Sequence, residues 1–156
     1  RPTPNIVPSF TPVTAGLIQA VILGPDDFLM AYGVNHAAAG KAVYSNVSVL
    51  GWSHKASPVA VENQDMPGSA AYYLGTTVDP DTANMLYAWK FARPGGCTAG
   101  DTPSCRPVDT TCTAGVAADE PVALAFRAYV DKKTKVDPAY SEIIIDRILL
   151  FTPKTP

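Results

Sequence analysis

The sequence predicts an all-β domain: an antiparallel β-sandwich, jelly-roll-like, of seven to eight strands with at most one or two short helical turns. Three observations predict it. Apolar residues alternate with polar ones at a period of two along several segments, as they do in strands. Fifteen prolines and eleven glycines exceed their usual combined share of about 12% and fall mostly between the apolar runs, where turns join short strands. No alternation of strands with helical patterns of roughly ten residues is present, which disfavours a parallel α/β sheet.

Length and composition bound the rest. At 156 residues the chain can bury one good core but not two. Residues 1–14 carry Pro2, Pro4, Pro8 and Pro12 and are read as an extended Pro-rich segment, because proline fixes φ and donates no ladder hydrogen bond. Residues 15–156 are read as a single sandwich domain. The opening Arg1-Pro2-Thr3-Pro4 resembles a processed N-terminus or a domain cut from a longer protein.

The strands follow in order. Leu17 to Leu23 is the first, closed by the turn Gly24-Pro25-Asp26-Asp27. Phe28 to Val34 is apolar on both faces, as expected of a central strand covered on both sides. Lys41 to Trp52 alternates most cleanly, with Val43, Ser45, Val47 and Val49 opposing Tyr44, Asn46, Ser48 and Leu50. Pro58 to Val61 is a short strand, and Ser69 to Leu74 a single helical turn. Met85 to Arg93 is a strand on its aromatics and its Pro94-Gly95-Gly96 stop. Pro121 to Val130 and Tyr140 to Phe151 are two long strands, and the polar stretch between them, with Lys132, Lys133 and Lys135, reads as a wide hairpin.

Cys97, Cys105 and Cys112 are the only cysteines and fall within sixteen residues of a Gly-, Pro- and Thr-rich loop. The spacings, seven and six intervening residues, do not match the two to four of zinc knuckles, so a disulfide is expected. Any pairing closes a loop of about eight to fifteen residues, worth about 2–3 kcal/mol. Spacing does not choose the pair. Oxidised cysteines place the domain outside the reducing cytosol, secreted or at the cell surface.

Charge excludes some partners. A net charge of −2 does not suit nucleic acid, which needs a basic face, and no apolar run approaches the ~20 residues of a membrane-spanning helix. The expected partners are a glycan or neighbouring protein subunits.

Four groups of residues are candidates for chemistry. Trp52, Tyr72 and Tyr73 sit beside loops and could stack on sugar rings. Arg127 and Arg147 interrupt apolar strands and could grip an anion; the competing reading is an ion pair of Arg127 with Asp146 or Glu142 beneath the core edge. Asp79, Asp81 and Asn84 cluster oxygen atoms as extracellular calcium loops do, although an Asx-turn or helix N-cap explains them equally well. Calcium is the one cofactor for which a site is suggested. Were the chain an enzyme, His36 would be its base, with Tyr32 and Lys41 beside it. A Ser–His–Asp set can be assembled from Ser53 or Ser57, His36 or His54 and an aspartate, but Gly-x-Ser-x-Gly is absent. Asn46-Val47-Ser48 matches a glycosylation acceptor but lies within a strand. Taken together, these features suit an extracellular binding, adhesive or structural module, with a small secreted hydrolase built on His36 as the alternative.

Overall fold

The alternating segments form two sheets. The computed structural model describes residues 4–5, 20–53, 55–97, 105–111, 115–129 and 140–153. The larger sheet runs β1 (Pro4–Asn5), β8 (Arg147–Phe151), β2 (Phe28–Val34), β5 (Leu86–Ala92), β6 (Cys105–Pro107). The smaller runs β4 (Val59–Glu62), β3 (Tyr44–Gly51), β7 (Val122–Tyr129). Two short helices, α1 (Ala71–Leu74) and α2 (Pro80–Asn84), lie between β4 and β5. Neither sheet closes into a barrel, and no helix among the described residues is long and apolar enough to cross a membrane.

The sheets share one core. Leu29 and Ala31 of β2 and Tyr87, Trp89 and Phe91 of β5 cluster with Val47 and Val49 of β3, Val61 of β4, and Val122 and Leu124 of β7. These are the positions that a period of two assigns to one face. Burying each large apolar side chain contributes about 1.5–3 kcal/mol. In β3 the opposing positions Asn46, Ser48 and Leu50 are buried as well, so the clean alternation there does not mark one wet face.

α2 begins as the Asx reading expects. Asp79 accepts a hydrogen bond from the Thr82 N–H at 3.0 Å, and Pro80 occupies the first turn, where its missing N–H is harmless. That hydrogen bond holds the Asp79 carboxyl below its usual pKa.

Arg93, just past β5, ties loops to the sheet. Its guanidinium is buried and donates to the carbonyls of Leu23 at 3.0 Å, Val116 at 2.7 Å and Ala117 at 2.8 Å. Burial lowers its pKa and the charge of Glu120 opposes that.

Several expectations are corrected. β7 and β8 do not form a hairpin: β7 pairs with β3, whereas β8 pairs with β2 and β1. Their connection therefore passes from one sheet to the other. The expected ion pair of Arg127 with Asp146 fails for the same reason, since it needed the two strands to be neighbours. β6 runs parallel to β5, with Lys90 opposite Cys105, so the larger sheet is mixed. The disulfide joins Cys97 to Cys105 and spans that parallel connection. In the described part of Leu17 to Leu23, only Val21 makes a bridge, to Val122. The remaining Pro-rich segment, His54, Cys112 and the Lys132–Lys135 stretch lie outside the described residues.

Candidate functional site

The outer face of the larger sheet carries the site. Strand pleating sends Leu29 and Ala31 into the core and Phe28, Met30 and Tyr32 to the other side. Register then sets their neighbours. Tyr32 lies between Arg147 and Ala88, Met30 between Leu149 and Lys90, and Phe28 between Phe151 and Ala92. The Phe28 and Phe151 rings stack with centroids 4.5 Å apart, and Lys90 Nζ lies 5.0 Å from the Phe28 centroid.

Two segments build up around this face. α1 supplies Tyr73 and Leu74, and it stops after one turn at Gly75, whose φ of 59° few other residues adopt. The coil 143–146 supplies Ile144 and Ile145, 63% and 57% exposed. With the strand residues they enclose a hollow of about 760 Å³. Its lining is almost wholly apolar, and Arg147 is the one charged residue lining it among those described. Large exposed apolar groups gathered in one concavity mark a binding surface more often than scattered ones do.

Beneath the hollow, the inner face of the sheet holds an unusual carboxyl. Asp146 is 7% exposed, and neither of its oxygens has a hydrogen-bond partner among the described residues. Burial raises its pKa to about 7. The Tyr87 hydroxyl is near enough to oppose that rise, without the geometry of a hydrogen bond. Tyr87 is itself pushed well above its usual pKa, first by burial and then by the Asp146 charge.

The structure brings three of the predicted residues together: Tyr32, Tyr73 and Arg147 all line the hollow. Tyr72, 66% exposed, sits edge-on to Tyr73. Trp52 does not join them. It lies beyond the end of β3 in the other sheet, with Lys55 Nζ 3.7 Å from its ring centroid. Arg127 is exposed near the end of β7 and does not line the hollow.

The residues of the hydrolase reading occupy three different surroundings. His36 is 1% exposed, and its Nε2 donates to the Ile144 carbonyl at 3.2 Å while Nδ1 has no hydrogen-bond partner among the described residues. Its ring packs on Phe126. Lys41 pairs with Glu142 at the surface, Nζ to Oε1 2.7 Å. Tyr32 faces the hollow on the opposite side of the sheet from the core. His36 thus anchors from within the coil that bears Ile144 and Ile145.

Asp79 is committed to its cap, with Asp81 and Asn84 on the same short helix. No cluster of three or more His, Cys, Asp or Glu residues able to hold a metal ion occurs among the described residues.

Sequence reasoning missed the hollow because Phe28 to Val34 reads as a strand covered on both faces. Its outer face is instead half open, with Tyr32 37% exposed. The signal available was Ile143-Ile144-Ile145, an apolar run that ends at a charged pair and exceeds what one strand face can bury. No protein-family model matches the chain, and neither does any curated protein or solved structure.

Proposed function

We propose that this chain is an extracellular β-sandwich binding module whose ligand site is the apolar hollow over β2. One observation carries the reading. A concavity of about 760 Å³ lies within the ~300–1,000 Å³ range of small-molecule sites, and its apolar walls with a few polar groups match their usual make-up. The Cys97–Cys105 disulfide supports secretion or surface display, where such bonds persist.

A glycan is a poorer fit. Sugars need many donors and acceptors around a flat aromatic platform, and the walls here are Met30, Val34, Leu74, Ile144 and Ile145. The other platform candidate, Trp52, has one ring face covered by Lys55.

The test is a titration with a neutral, polarity-sensitive naphthalene fluorophore. Saturable enhancement at one site is expected, and Ile145→Glu, at a position exposed enough to tolerate charge, should weaken it at least tenfold. Absence of saturable binding, or equal binding by the variant, would overturn the reading.

A further inference from the structure

We infer that the hollow takes a single-chain anionic amphiphile, its carboxylate meeting Arg147 and its hydrocarbon chain lying along Met30, Leu74 and Ile145. This rests on the reading of the hollow as a ligand site and specifies what fills it.

The argument starts from the register. The outer face carries cations on both sides of its central strand: Arg147 opposite Tyr32 and, one pleat along on the far side, Lys90 opposite Met30. No aspartate or glutamate lines the hollow among the described residues. Asp146, the neighbour of Arg147, is buried on the reverse face. A ligand entering this hollow strips water from a guanidinium, which is unfavourable unless the ligand returns a charge or hydrogen-bond acceptors. A neutral hydrocarbon returns neither, and an ammonium adds repulsion. A carboxylate restores both, because two of its oxygens match the guanidinium fork. Arg147 already has an interaction of its own, but five N–H donors leave room for a second acceptor. The remaining walls are aliphatic, so the rest of the ligand is a flexible apolar chain. Tyr32 and Tyr73 bring hydroxyls to the same hollow, and these can add a donor to the head group.

The experiment uses the whole chain with its disulfide intact and three probes below their micelle concentrations: decanoate, decanol and decyltrimethylammonium. Calorimetric titration should give one decanoate per chain, bound at least tenfold more tightly than decanol, with the ammonium weakest. Arg147→Gln should abolish the preference, so that this variant binds decanoate no more tightly than decanol. Ile145→Glu should weaken both. If decanol binds as well as decanoate, or if Arg147→Gln keeps the preference, the anion inference fails while the apolar site stands. If none of the three binds while the naphthalene probe still does, the amphiphile inference falls and the apolar site stands; if the naphthalene probe fails as well, both fall. Co-sedimentation with phosphatidylglycerol vesicles, without decanoate binding, would overturn the inference in favour of a membrane surface as the source of the anion.

Discussion

Gly33 and Asp146 are matched: a Cβ on Gly33 would collide with Oδ1 of Asp146 and lie 3.3 Å from Cε1 of Tyr87. The buried carboxyl therefore occupies the space that a side chain at position 33 would fill. Register explains why, since Gly33 lies opposite Tyr87 and Asp146 immediately precedes the residue opposite Tyr32. The floor of the hollow and the buried, protonation-prone carboxyl of Asp146 are thus one construction.

Gly33→Ala should destabilise the protein by about 1–3 kcal/mol, the usual range for overpacking a filled interior. Urea unfolding of Gly33→Ala, Asp146→Ala and the double variant forms a cycle. The double variant should be more stable than the sum of the single changes implies, because removing the carboxyl vacates the space. Additive changes would show that the two residues do not compete.

Asp146 makes stability fall as pH rises. Its folded pKa of about 7 exceeds its unfolded value near 4, so between those values the native state holds a proton that the unfolded state has released. The contribution is fully present below about pH 4 and is lost as pH rises to about 7. With about 1.4 kcal/mol per unit, the loss is on the order of 4 kcal/mol. Asp79 and Asp109, whose pKa values are lowered by hydrogen bonds to Thr82 and Thr111, act in the opposite sense at acid pH. The difference between wild type and Asp146→Asn isolates the residue. It should shift in favour of the variant between pH 4 and pH 8, as read by urea unfolding; a constant difference would refute the assignment.

Arg93→Lys should lose about 3 kcal/mol, because an ammonium cannot span the carbonyls of Leu23, Val116 and Ala117 that one guanidinium reaches. At this chain length that corresponds to a melting temperature lower by roughly 6–12 °C. A thermal scan within 2 °C or so of wild type would mean that these carbonyls find other donors.

Strand existence was legible from local chemistry. Tyr44–Gly51 and Leu86–Ala92 emerge close to where alternation and the Pro94-Gly95-Gly96 stop place them, because side-chain period is a property of the strand itself. The same holds for the Asp79 cap and for a disulfide among clustered cysteines. Tyr32, Tyr73 and Arg147 belong to three different candidate groups in the sequence, with no sign there that they share a hollow.

What the sequence determined by itself was therefore strands close to Phe28–Val34, Tyr44–Gly51, Val59–Glu62, Leu86–Ala92 and Val122–Tyr129 and the presence of a sulfur bridge, whereas β1 and β6 carry no such signal and Tyr140–Phe151 is strand only from Arg147. Tertiary structure alone decided partners: that β8 joins β2 instead of β7, that β6 runs parallel to β5, and that Cys97 meets Cys105. The physical reason is degeneracy. The apolar pattern of Ile148 and Leu150 marks a strand face without naming its neighbour, and pairing is selected by long-range packing across the sheet, which no short window of sequence encodes. Gly33 shows the difference, since the strand pattern of Phe28 to Val34 gives no hint that the Asp146 carboxyl takes the space beside it.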